Sequence, residues 1–92
     1  MILEELESVL RERRSADPEA SYTAKLLADP ELIQRKIMEE AFEVCLELGR
    51  DTNDPSLTAE EAADVMYHLL VGLVAVDVPV ADVFAVLEGR RS

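Results

Sequence analysis

Ala59-Glu60-Glu61-Ala62-Ala63-Asp64-Val65-Met66-Tyr67-His68-Leu69-Leu70-Val71-Gly72-Leu73-Val74-Ala75-Val76-Asp77 decides how this chain folds. No strand alternation survives across it, and from Val65 onward it is apolar nearly all round a helical wheel, as in a helix covered on every side. Thr58-Ala59-Glu60-Glu61 at its head has the form of a capping box, with Thr58 as the cap and Glu61 reaching back. A 92-residue chain with three or four other helical segments cannot by itself cover such a helix. The expectation is an all-α fold: one domain over residues 1–92, a small antiparallel bundle of four to five helices completed by homodimerisation or a larger assembly.

Working outward, Asp29-Pro30-Glu31 places an N-cap, a proline at the first helical position and an acid in the first turn. That helix runs to Leu48, with Gly49 as its stop and Arg50 as a cation at its end. Asp51 to Ser56 is turn chemistry. Toward the N-terminus, Ile2, Leu3, Leu6, Val9 and Leu10 recur at helical spacing until Asp17-Pro18 interrupts. Ser21 to Ala28 gives a helical turn or two with Tyr22, Leu26 and Leu27 as apolar contacts. Val78-Pro79 breaks the central apolar helix, and Val80, Val83, Phe84 and Leu87 mark a last one ending at Gly89. There is no internal repeat, low-complexity tract or linker.

Apolar residues make up 49% of the chain, enough for a packed core despite a net charge of -11 and a pI near 4.3. That charge excludes a nucleic acid held on a basic surface, but not a phosphorylated small molecule held by metal and a few local cations. The apolar run from Val65 to Val78 is too short to span a bilayer and contains His68 and Asp77, so no membrane partner is expected. Met1-Ile2-Leu3 leads into acidic residues without the basic start of a targeting peptide. The lone Cys45 allows no internal disulfide and reads as a buried small hydrophobe in a reduced, cytoplasmic protein.

Two acidic clusters, Glu39-Glu40-Ala41-Phe42-Glu43 and Glu60-Glu61-Ala62-Ala63-Asp64, lie within these hydrophobic helices. Buried carboxylates are costly unless a positive charge shares their space. Glu40 and Glu43 share a helix face at a spacing of three, as do Glu61 and Asp64, so an antiparallel pair of helices could present four carboxylates to a hard cation such as magnesium. The bland readings stand beside this one: Glu39, Glu40, Glu43 and Glu47 as a solvated face, and Glu61 as a capping partner. Asp64 is the hardest to dismiss, being a poor helix former amid apolar neighbours. Lys36 is either an intrahelical partner of Glu39 and Glu40 or a phosphate contact, and Lys25 and Arg35 admit the same two readings. His68, one turn after Asp64, is either a satisfied core residue or a neighbour of the site. With three glycines in all, no Gly-rich phosphate loop can be assembled, so phosphate chemistry must run through metal.

Ser21-Tyr22-Thr23-Ala24-Lys25-Leu26-Leu27, Lys36-Ile37-Met38-Glu39-Glu40-Ala41-Phe42-Glu43-Val44 and Glu60 to Leu70, in that order, resemble the phosphoribosyl-ATP pyrophosphatase family, which belongs to the all-α nucleotide pyrophosphohydrolases with an ExxE and an ExxD helix. The resemblance implies hydrolysis of phosphoribosyl-ATP to phosphoribosyl-AMP and pyrophosphate, the second step of histidine biosynthesis, with Mg2+ as cofactor. It further implies that Glu40, Glu43, Glu61 and Asp64 bind the metal and that Glu39 is a further ligand or a base for water. Lys36, Lys25 and Tyr22 would contact substrate. Met38 departs from the Gly that many relatives place before the double Glu. Two other readings stay open: a pyrophosphohydrolase of noncanonical nucleoside triphosphates, which the general metal motifs equally fit, and a non-catalytic helical dimerisation module with solvated acidic clusters.

Overall fold

The structure is a computed structural model that describes residues 1–91, and its described residues form five helices. These are α1 (Ile2–Glu12), extended by a 3-10 turn at Arg13–Ser15, then α2 (Tyr22–Leu27), α3 (Pro30–Leu48), α4 (Pro55–Ala75) and α5 (Val80–Arg90). Local chemistry sets most of their ends. Ser21 caps α2 by accepting from the Ala24 amide, and Asp29 caps α3 by accepting from Leu32. Gly49 closes α3 in a right-handed conformation (φ -88°), so the stop does not use the left-handed freedom of glycine.

Helix α4 begins a turn earlier than the Thr58 capping box implies. Asp54 is the cap, accepting from the amides of Ser56 and Leu57, and Pro55 takes the first helical position, repeating the Asp-Pro arrangement that starts α3. The Thr58 hydroxyl instead takes a hydrogen bond from Asn53 Nδ2, which also donates to the Glu47 carbonyl and so closes the loop between α3 and α4. Cys45 also departs from expectation. It is exposed on α3, because the seam with α4 runs through Ile33 and Ile37 and leaves Cys45 on its flank.

Every helix sends at least one buried side chain to a single core: Leu10 from α1, Leu26 from α2, Ile33 from α3, Leu70, Val71 and Val74 from α4, and Val80 from α5. Three of the seven come from α4, which also packs directly on α1, α2 and α3. The pairing of α3 with α4 is the most extensive and is antiparallel, because Ile33 and Ile37 lie opposite Gly72 while Ala41 and Val44 lie beside Ala62 and Val65. A Cβ on Gly72 would lie 3.4 Å from Ile33 Cγ2 and 3.7 Å from Ile37 Cδ1, so the backbone of α4 approaches these side chains closely.

Two long-range contacts close the C-terminal half. Arg14 donates to the Val74 carbonyl at the end of α4 and pairs with Asp77 at 2.7 Å. Asp77 takes a left-handed conformation (φ 59°) at the turn into α5, one that Asp tolerates better than most residues. Pro79 stands at the N-cap of α5 without an acceptor side chain, and Glu7 of α1 supplies one, its Oε2 accepting from the Val80 amide at 2.6 Å.

The bundle is flat, with extents of 44 × 35 × 22 Å and a radius of gyration of 14.6 Å. A self-contained chain of this length would have a radius near ~12 Å. Its surface of 6524 Å² likewise exceeds the ~5,300 Å² expected for a monomer of this mass. Exposed Phe42 and Leu46 of α3, Met66 and Leu69 of α4 and Leu87 of α5 account for part of that excess. No single helix among the described residues is long and apolar enough to cross a membrane. Replacing Glu7 by Ala removes the tertiary cap of α5 and should destabilise the fold by about 1 kcal/mol in urea titrations. Unchanged stability would mean that the α5 amide finds water as readily as the carboxylate.

Candidate active site

The antiparallel register that seats Gly72 against Ile33 brings the two acidic clusters side by side along the same seam. Glu43 and Glu61 face one another across it, close enough for each carboxyl to act on the other. The Glu61 pKa is raised, first by the Glu43 carboxyl as a hydrogen-bonding neighbour of the protonated form, then by desolvation, then by the negative charges of Glu43, Asp64 and Glu47.

Glu40 is half-buried one turn before Glu43, and the His68 ring lies against its Oε1. Glu61 Oε2 is buried without a hydrogen-bond partner, which is costly for a carboxylate, whereas Glu40 Oε1 is buried with the Nδ1 edge of His68 as its polar contact. Asp64 is exposed on α4, one turn beyond Glu61, and its charge acts on Glu61. No three His, Cys, Asp or Glu side chains among the described residues converge closely enough to hold a metal ion as they stand. The carboxylates stand instead as pairs, and their mutual repulsion pushes Glu61 toward its protonated form. A buried carboxylate oxygen without a partner, acids that repel one another and an all-oxygen donor set are the pattern that a hard divalent cation would satisfy, so the residues present fit magnesium.

The remaining expected residues divide cleanly. Lys36 pairs with Glu39 at 3.9 Å, both being solvent-accessible, so the intrahelical partnership is present. Lys25 and Arg35 are exposed. Tyr22 is not an apolar contact: half its surface is open, and its hydroxyl lies 3.0 Å from His68 Nε2. Burial of the phenol, then the charges of Glu40, Tyr67 and Glu39, raise its pKa and keep it a donor. Glu60 faces solvent, whereas Glu47 is buried and accepts from Arg50 Nε at 2.9 Å, so the acidic run of α3 is not one solvated face.

His68 carries more of the arrangement than its sequence position suggests. Its Nδ1 also lies 3.0 Å from the Asp64 carbonyl, one turn back, and its ring touches groups from α2, α3 and α4. The spacing of four from Asp64 was the available signal. Contact with Glu40 and Tyr22 could not be read from spacing, because it depends on how three helices meet. The Thr23 and Tyr67 hydroxyls, which hydrogen-bond beside it, also escaped the sequence reading for that reason.

Comparison with known proteins gives this geometry a family. Residues 3–91 match the model of the phosphoribosyl-ATP pyrophosphohydrolase family. A protein of Cereibacter sphaeroides (strain ATCC 17029 / ATH 2.4.9) named phosphoribosyl-ATP pyrophosphatase is 51% identical over 98% of this chain and 86% of its own length. Proteins of the same name from Dinoroseobacter shibae and Ruegeria pomeroyi are 48% and 44% identical, each over 98% of this chain and over 87% and 85% of their own lengths. A family match over residues 3–91, with relatives about half identical over nearly the whole chain, means that the chain belongs to the phosphoribosyl-ATP pyrophosphohydrolase family.

Proposed function

We propose that this protein is the hydrolase that converts phosphoribosyl-ATP to phosphoribosyl-AMP and pyrophosphate in the second step of histidine biosynthesis, with Mg2+ as its cofactor. The observation that carries the chemistry is the facing of Glu43 and Glu61 across the α3 and α4 seam, beside half-buried Glu40 and a buried Glu61 oxygen without a hydrogen-bond partner. The substrate is supported by the family and by the names of the relatives.

In this reading Glu40, Glu43, Glu61 and Asp64 would hold magnesium, whose charge would favour the ionised form of Glu61. Bound there, the metal supplies charge neutralisation for the triphosphate and polarisation of the phosphorus to be attacked. Tyr22, its hydroxyl held against His68, and the cations Lys25 and Lys36 would contact the substrate. Glu39, exposed beside Glu40, takes the proton of the attacking water. The water oxygen bonds to phosphorus of the α,β-anhydride, the bridging P–O bond breaks, and pyrophosphate leaves with the electron pair. No covalent enzyme intermediate is required.

A second copy of the chain covers the exposed apolar surface. The surface excess over a compact monomer is on the order of 1,000 Å² per chain, more than the roughly 800 Å² that each partner contributes to an interface of standard size. Phe42, Leu46, Met66 and Leu69 supply its apolar contacts. A reduced cytoplasmic setting suits an exposed, unpaired Cys45.

Three outcomes test this reading. Purified protein should release pyrophosphate from phosphoribosyl-ATP only with Mg2+, and Glu43→Gln or Asp64→Asn should lower turnover on the order of 100-fold while helical circular dichroism is retained. Rapid hydrolysis of other nucleoside triphosphates with none of phosphoribosyl-ATP would sink the substrate assignment. Sedimentation should give a dimer that Met66→Glu weakens, and a well-behaved wild-type monomer would remove the second copy.

The pH dependence has a definite sign. Because folding raises the Glu61 pKa, the folded metal-free protein binds more protons than the unfolded chain above the ordinary glutamate range. Stability is therefore full below that range and falls as pH rises through the raised value. Melting temperature should show this decline without Mg2+ and lose it in Glu61→Gln. A wild-type curve that rises with pH over the same window would contradict the raised Glu61 pKa.

A further inference from the structure

His68 is the single histidine of the chain and is 6% exposed in the middle of α4. The Tyr67 ring meets it edge-on at 5.0 Å and the Tyr22 ring at 6.0 Å, so its orientation is fixed by packing on two sides. The Asp64 carbonyl can only accept, which places the proton on Nδ1. Glu40 Oε1 lies against that same edge. In the neutral ring Nε2 is then an acceptor, and the Tyr22 hydroxyl donates to it. Beside this contact the Thr23 hydroxyl meets the Tyr67 hydroxyl, so two adjacent polar clips tie α2 to α4. Helix α2 has six residues, too few to persist without such ties.

We propose that His68 is a positioning residue for the reaction: its Nδ1 edge sets the Glu40 carboxylate and its Nε2 edge sets the Tyr22 hydroxyl, so that α2, with Lys25, closes on the acidic seam in one arrangement. The proposal rests on the hydrolase reading above and extends it to a residue outside the carboxylate set. A histidine kept only for packing would not need both ring edges engaged, since an apolar ring of similar volume avoids the desolvation of two nitrogens. The two edges serve different partners. Damage to them should therefore separate, with the Glu40 edge governing metal affinity and the Tyr22 edge governing α2 and substrate affinity.

His68→Asn and His68→Gln test that separation in the full chain. Asparagine can place a donor near the Nδ1 position without reaching Tyr22, and glutamine reaches the Nε2 position without restoring the Nδ1 edge. Calorimetry with MgCl2 alone should show affinity reduced roughly 10- to 100-fold in His68→Gln, and within about threefold of wild type in His68→Asn. Hydrogen exchange over Tyr22 to Leu27 in the metal-free protein should quicken about fivefold in His68→Asn, the effect of one lost hydrogen bond, and stay near wild type in His68→Gln. The KM for phosphoribosyl-ATP should rise in His68→Asn more than kcat falls. Tyr22→Phe, whose half-exposed site tolerates the change, should reproduce the faster exchange and leave Mg2+ affinity unaltered. Identical behaviour of the two His68 variants, or unchanged α2 exchange in Tyr22→Phe, would overturn the positioning role while wild-type activity left the hydrolase reading intact. Wild-type protein that neither bound Mg2+ nor hydrolysed phosphoribosyl-ATP would overturn both.

Discussion

Close antiparallel contact between α3 and α4 is the constraint on which the rest of this protein depends. Gly72 lets the two backbones approach at Ile33 and Ile37, and that register places Glu43 opposite Glu61 further along the seam. A shift of one residue would rotate the carboxylates away from one another, because successive side chains on a helix point about 100° apart. The other helices are arranged around this pair. Helices α1 and α2 pack on α4, and α5 turns back at Asp77 so that Val80 joins the same core while Glu7 caps its first amide.

Apolar packing and acid chemistry share the same helix without conflict because they are divided along its length. The C-terminal half of α4 buries Leu70, Val71 and Val74 and carries no ionisable side chain after His68. Its N-terminal half carries Glu60, Glu61 and Asp64, with Asp64 exposed and Glu61 half-buried. His68 stands at the boundary. It lets a polar network from Tyr22 to Glu40 pass through a largely apolar region without leaving its own nitrogens unpaired. The carboxylate pair is left unstable toward full ionisation, which is the condition under which binding a divalent cation yields the most.

Helix positions were legible wherever a local device sets them. Asp29-Pro30 and Ser21 act within three residues of the ends they define, so the starts of α3 and α2 follow from sequence. The start of α4 was misread because Thr58 through Glu61 satisfies the capping pattern, while the Asp54-Pro55 cap competes for the same turn and also satisfies the first two free amides. Cys45 was misplaced because α3 is only weakly amphipathic, and which of its apolar residues are covered depends on α4 rather than on α3. The four carboxylates were visible as pairs from their spacing of three, yet spacing could not distinguish the exposed Asp64 from the half-buried Glu61.

The sequence by itself determined the helical class, the ends of most helices, the acidic pairs and the family likeness, since each rests on residues within one or two turns of one another. Tertiary structure alone decided that Glu43 raises the Glu61 pKa, that His68 joins Tyr22 to Glu40, that Glu47 is buried with Arg50, and that Glu7 caps a helix 73 residues away. The physical reason is range. Capping and helical periodicity act through the backbone of a single segment, whereas desolvation, pKa shifts between facing acids and long-range caps arise only when separate helices exclude water between them.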